Sequence, residues 1–78
     1  MEYPQYRKYS NNKHFFKITS ASEFEELSFI GTQLVHHIFV AKILPDRNLI
    51  QDLLHDSQCA ELSSSEEFER LLKQLKNK

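Results

Sequence analysis

The sequence contains very little glycine or cysteine and no tryptophan, with one residue of each of the first two types among 78. Gly31 stands alone, which excludes the dinucleotide-binding fingerprint and the P-loop, because each of these needs at least two glycines. Cys59 has no partner for an intrachain disulfide, and a lone thiol fits a reducing compartment. We therefore expect a cytoplasmic protein outside the collagen-like and disulfide-scaffold classes.

Long hydrophobic runs are missing as well. The longest uninterrupted apolar run covers only residues 38–41, whereas a helix needs ~20 apolar residues to span a bilayer. The chain begins with the polar residues MEYPQYRK, so we expect no secretory signal. The sequence thus predicts that the protein has no membrane partner.

The chain offers room for one small domain, since single domains commonly run to ~100–150 residues. Hydrophobic residues make up 40% and charged residues 27% of the sequence, which excludes an intrinsically disordered chain. So short a chain has too little core to enclose a large cofactor cleft, and we expect no cofactor and no small-molecule substrate. We expect residues 13–78 to form a single small α+β domain after a flexible or edge-strand arm at residues 1–12.

Two segments have the composition of β-strands. Residues 14–19 are rich in aromatic and β-branched side chains and follow a turn signal at residues 10–12. Residues 34–43 are largely apolar on both faces, which predicts a central strand with neighbours on both edges. A central strand needs two partners, and residues 14–19 and 23–30 are the natural ones.

The stretch between these strands fits two structures. As a helix, residues 20–30 begin with a capping box of Ser20 and Glu23 and end at Gly31. As a strand, residues 23–30 turn at residues 31–33 into a hairpin with the strand that follows. We favour the hairpin, because the strong strand at residues 34–43 needs a neighbour.

Two amphipathic helices are predicted in the second half of the chain. Pro45 ends the strand, and residues 46–56 carry apolar side chains along one side. Ser64 and Glu67 form a capping box at the start of a second helix, residues 64–77. The expected fold is therefore α+β, with a three-stranded antiparallel meander packed against two C-terminal amphipathic helices.

The charged residues are unevenly distributed. Residues 1–17 carry a net charge of +3 and residues 70–78 a net charge of +4, whereas residues 18–69 carry −8. Basic ends around an acidic middle suggest self-complementarity or separate partner surfaces, although surface charge most often only solvates the protein.

Neither a catalytic nor a metal site is predicted. Cys59, His55 and Asp56 supply the residue types of a nucleophilic site, but no glycine-rich turn presents them. His36 and His37 are adjacent in a strand and so point to opposite faces, which prevents them from sharing one ion. In the hairpin register, Glu25 and Glu26 would lie near these two histidines.

The N-terminal arm carries the candidate binding residues. Tyrosines alternate there with cations, and such a composition suits protein hot spots as well as single-stranded nucleic acid. The seven candidates are Tyr3, Tyr6, Arg7, Lys8, Tyr9, Lys13 and Lys17. We expect a non-enzymatic protein-interaction or regulatory module, with a protein partner or a homodimer. The alternative is nucleic-acid binding through the basic, tyrosine-rich arm.

Overall fold

The computed structural model describes residues 2–56 and 58–76, which form five strands and two helices. In chain order the elements are β1 (Gln5–Lys8), β2 (His14–Ser20), β3 (Glu23–Ile30), β4 (Gln33–Val40), α1 (Leu44–His55), β5 (Glu61–Leu62) and α2 (Ser65–Lys76). The α+β class is confirmed. Residue 77, the last residue of the second predicted helix, lies outside the described residues.

One antiparallel sheet contains all five strands in the order β4-β3-β2-β1-β5. Strands β1 to β4 form a meander of successive hairpins. Gly31 has φ +64° in the two-residue turn between β3 and β4, a conformation that costs a residue with a Cβ atom ~1–2 kcal/mol. The strand interpretation of residues 23–30 is therefore confirmed.

The prediction of three strands was wrong, because the sheet has five. Gln5–Lys8 pairs with β2, so part of the segment expected as a flexible or edge-strand arm lies inside the sheet. β5 pairs with the other side of β1, through Arg7↔Leu62 and Lys8↔Glu61. β5 was not among the predicted strands of the sheet, because its two residues are too few for a clear hydrophobic period.

The central position predicted for residues 34–43 was also wrong. β4 covers Gln33–Val40 and is an edge strand whose neighbour in the sheet is β3. Tight turns join consecutive strands side by side, so the segment at residues 14–20 pairs with β3 and cannot also reach β4. Apolar side chains on both faces of β4 therefore do not indicate a strand with neighbours on both edges.

The sheet carries one helix on each face. Phe15 and Phe16 are neighbours on β2 and therefore point to opposite faces. Phe16 packs in a cluster with Ile50 and Leu53 of α1. Phe15 packs in a second cluster with Phe68 of α2. The two faces are thus closed by different helices, and the sheet is the middle layer.

Local sequence signals explain where both helices begin. Pro45 stands in the first turn of α1, where its missing N–H costs no hydrogen bond. At α2, the Glu67 N–H donates to Ser64 Oγ at 3.2 Å, which confirms this half of the predicted capping box. The Glu67 carboxylate accepts a hydrogen bond from the Ser63 hydroxyl and so ties the loop before α2 to its first turn.

Candidate interaction surface

The candidate tyrosines of the N-terminal arm differ in how far they pack against the rest of the protein. The Tyr6 ring packs against Phe68 with 5.9 Å between ring centroids, and the Tyr9 ring packs edge-on against Phe16 at 5.0 Å. Tyr3 is 38% exposed and lies before β1. Tyr6 and Tyr9 lie on opposite faces of the sheet, so the three tyrosines do not form one stacking platform.

The basic candidate residues are dispersed as well. Lys8 Nζ lies 3.4 Å from a Glu67 carboxylate oxygen, and Lys17 Nζ lies 3.8 Å from one of Glu69. Both ion pairs join the sheet to α2. Lys13 is exposed in the turn between β1 and β2. The basic candidate residues therefore do not form one continuous surface, because Lys8 and Lys17 face α2 and Lys13 lies in a turn.

Arg7 is a buried cation, only 9% exposed. Its guanidinium donates to the Tyr6 carbonyl at 2.8 Å and to the Leu54 carbonyl in the last turn of α1 at 3.3 Å. Within residues 2–56 and 58–76 no carboxylate oxygen lies within 4.0 Å of it. Helix carbonyls at a C-terminus carry partial negative charge, so Arg7 caps α1. A cavity of about 280 Å³ adjoins it, with Asp56 and Glu61 among its lining residues.

Among the described residues, most of the exposed large apolar side chains lie at the end of β4 and in the segment that leads into α1. Here five large apolar side chains are 43% to 69% exposed, although such side chains are usually buried. They are Ile38, Phe39, Val40, Ile43 and Leu44. We call this group the β4 patch. A shallow depression of about 350 Å³ is lined by three of its residues together with Lys42.

Alternate backbone groups of β4 point away from the sheet. The Ala41 N–H donates to the Ser22 carbonyl at 2.7 Å, on the side of β3. Hydrogen-bonding groups alternate in direction along an antiparallel strand, so the odd-numbered residues of β4 bond toward β3. The N–H and C=O groups of Leu34, His36, Ile38 and Val40 therefore point outward, past the last strand in the described sheet.

The two edges of the sheet differ in their capacity for further pairing. β5, at one edge, has two residues and includes Glu61, and short charged edges resist pairing. β4, at the other edge, has eight residues with neither a carboxylate, a lysine, an arginine nor a proline. Proteins usually protect a long edge strand with such residues. β4 is therefore the edge that is open to another strand.

The expected pairing of glutamates with histidines across the strands is present. His36 Nε2 lies 2.9 Å from a Glu25 carboxylate oxygen on the face covered by α2. Glu26 stands opposite His37 in the ladder, but its carboxylate oxygen contacts His14 Nδ1 at 2.9 Å. These contacts fix the register of β3 against its neighbours.

The chemistry around Cys59 is unlike that of an activated nucleophile. Burial raises the pKa of the Cys59 thiol, and the nearby carboxylates of Asp52 and Asp56 raise it further. A reactive cysteine needs a lowered pKa. Over the described ranges, no three histidine, cysteine or acidic side chains converge to hold a metal ion.

The β4 patch was missed at the level of sequence, although a signal was present. An apolar run on both faces of a strand predicts either a central strand or an edge strand that accepts a partner. The absence of charge and proline over residues 33–40 is the feature that favours the second interpretation.

Comparison with known proteins gives no identification. The chain matches no protein-family model, no curated protein and no solved structure. In the part of the chain that the structure describes, neither helix has the length and apolar character needed to cross a membrane.

Proposed function

We propose that the protein is a non-enzymatic protein-interaction module that binds an extended, uncharged protein segment along the edge of β4. The observation that carries the proposal is the β4 patch, five exposed apolar side chains on and beside an unprotected edge strand. Strand addition of this kind obtains affinity from main-chain hydrogen bonds and specificity from alternate side chains. The proposed compartment is the cytoplasm, which agrees with the free thiol of Cys59.

The chemistry of the patch restricts the partner. Ile38 and Val40 alternate with Phe39 along β4, so an added strand meets apolar side chains on both faces. Among the described residues, Lys42 is the one charged side chain that lines the depression, and Glu23 and Glu25 of β3 stand opposite Val40 and Ile38 in the ladder. A segment rich in carboxylates or cations would lose hydration there without gaining an ion-pair network. An extended segment with β-branched or aromatic side chains fits best.

Phe39 supplies a rigid contact point. Its ring stacks on Phe24 with 5.3 Å between centroids and an interplanar angle of 7°. Phe24 is 2% exposed, so the inner side of the Phe39 ring is fixed while 43% of the residue remains accessible. A ring held in this way loses little side-chain entropy on binding, as is typical of interface anchors.

Amide hydrogen exchange tests the proposal at single residues. The probe is a synthetic peptide of residues 34–41 with lysines added at both ends, and the control is the same composition in scrambled order. We expect the outward amides of His36, Ile38 and Val40 to become protected from exchange when the peptide binds. If they are already protected in the protein without peptide, we expect Ile38→Lys to remove that protection. If these amides stay unprotected under both conditions, the proposal is wrong.

Nucleic-acid binding through the N-terminal arm stays a prediction. The ion pairs of Lys8 with Glu67 and of Lys17 with Glu69 weaken its support, because they occupy cations that phosphates would need. A salt titration with a labelled single-stranded oligonucleotide distinguishes the two functions. Phosphate contacts would give affinity that falls steeply with salt, whereas apolar strand addition would not.

A further inference from the structure

We infer that the partner of the β4 edge is a second copy of this chain, paired antiparallel across a two-fold axis near Phe39. The inference rests on the proposed function and names the partner of the same surface. Its result would be a continuous ten-stranded sheet built from two five-stranded ones. The segment that fits β4 best, extended, uncharged and apolar on both faces, is β4 itself.

The charge pattern of the strand permits this self-pairing. An interface with two-fold symmetry places each residue type near its own copy, so a carboxylate or a lysine in the middle would meet a like charge. β4 contains neither between Gln33 and Val40. Lys42 lies two residues beyond the end of the strand and three positions from an axis at Phe39, so it does not stand opposite its own copy.

The two edges of the sheet favour a closed pair over an open chain. Pairing of β4 with β5 of another copy would be head-to-tail, and contacts of that kind generate filaments unless they close into a ring. β5 has only two residues, and one of them is Glu61, so it offers a shorter and more strongly charged edge than β4. Pairing of β4 with β4 closes as a dimer; with the two-fold axis at Phe39 it joins residues 38–40 of the two strands, whereas residues 33–37 of each copy lie beyond the paired segment.

The direction of the free backbone groups limits the register. The outward groups belong to even-numbered residues, so even residues must face even residues across the dimer. An axis at Phe39 meets this condition and sets Ile38 opposite Val40 of the second copy. All three exposed apolar residues of the strand then face apolar partners. An axis at His37 would instead place the His37 imidazole opposite that of the second copy. An axis at Ile38 would place Phe39 opposite His37 of the second copy.

A dimer through this surface should be reversible. A standard protein interface buries about 800 Å² per partner, which is about 15% of the 5269 Å² surface of this chain. Monomeric proteins rarely expose a contiguous apolar patch of more than a few hundred Å². An interface built on five exposed apolar side chains and a short strand overlap belongs near the lower end of the size range, so we expect the dimer to dissociate on dilution.

The test is the molar mass in solution, by light scattering after size exclusion, from about 10 µM to about 1 mM protein. We expect a mass that rises from 9.3 kDa toward twice that value for the wild type. Ile38→Lys should hold the protein at the monomer mass. Leu62→Lys is the matched control, because it places the same charge at the opposite edge on a residue that is 77% exposed. Circular dichroism confirms that each variant is folded.

Cysteine crosslinking tests the axis in a Cys59→Ser background. Residues at the axis in a non-hydrogen-bonded pair have Cα atoms ~4.5 Å apart, a separation that a disulfide spans. Phe39→Cys should therefore crosslink to its own copy more completely than His37→Cys. A stronger crosslink at residue 37 would overturn the assigned axis.

The outcomes separate this inference from the proposed function. A wild type that stays monomeric at the highest concentration overturns the second copy as partner, and so does a dimer that Leu62→Lys dissociates and Ile38→Lys does not. If the peptide of residues 34–41 still protects the outward amides of β4 in that case, the proposed function stands. If neither a dimer nor peptide protection is observed, both are wrong.

Discussion

Replacing Phe68 by alanine removes the side chain that fixes α2 to the sheet. Phe68 is 1% exposed and packs among Phe15, Leu27 and Leu34. Truncation of a buried phenylalanine costs about 3–5 kcal/mol, from lost transfer free energy and the cavity left behind. A domain of 78 residues has a total stability of about 4–12 kcal/mol, so the variant should lose between about a quarter and all of it.

Urea unfolding followed by far-ultraviolet circular dichroism measures the effect. Phe68→Leu keeps much of the buried volume, so its free energy of unfolding should lie between those of the wild type and Phe68→Ala. Leu62→Ala is the control, because a residue that is 77% exposed should change the free energy of unfolding by less than about 0.5 kcal/mol. A loss below about 1 kcal/mol for Phe68→Ala would refute the assignment of Phe68 as the anchor of α2.

Three further results are expected. The hydrogen bond from Ser63, and then the charge of Lys8, hold the pKa of Glu67 below its usual value. The stability this confers is present above the unfolded pKa of about 4.3 and is lost as the pH falls through the lower folded value. Glu67→Gln should therefore reduce the fall of the urea midpoint in acid, and an unchanged pH profile would contradict this. Burial raises the pKa of the Cys59 thiol, so this thiol should be alkylated more slowly at neutral pH in the folded protein than in the urea-unfolded chain. Equal alkylation rates would contradict a raised pKa in the folded state. Gly31→Ala should lower the free energy of unfolding by about 1–2 kcal/mol through φ alone, because among the described residues no atom other than those of the two chain neighbours lies within 4 Å of the added Cβ; a neutral effect would refute this.

Elements with strong local signals could be predicted from the sequence. The second helix was predicted at residues 64–77 and is observed at Ser65–Lys76, because Ser64 caps it and its apolar face is regular. The turn at Gly31 was predicted as well, since a two-residue turn with positive φ favours glycine. In both cases the determining contacts lie within a few residues along the chain.

Features that depend on distant pairing could not be predicted in the same way. The two residues of β5 form a strand only because β1 lies beside them, more than fifty positions earlier in the chain. The same limit explains why a central position was wrongly predicted for β4. Apolar side chains on both faces are typical of a central strand and equally of an edge strand that pairs with a partner. Strand order separates the two, and strand order depends on all the hairpins together.

Light scattering of the wild type and of Ile38→Lys over a concentration series tests the role of the β4 edge most directly. The predicted result is a wild-type mass that approaches twice 9.3 kDa, with the variant remaining at the mass of one chain. An Ile38→Lys variant that forms a dimer to the same extent as the wild type would contradict pairing through β4.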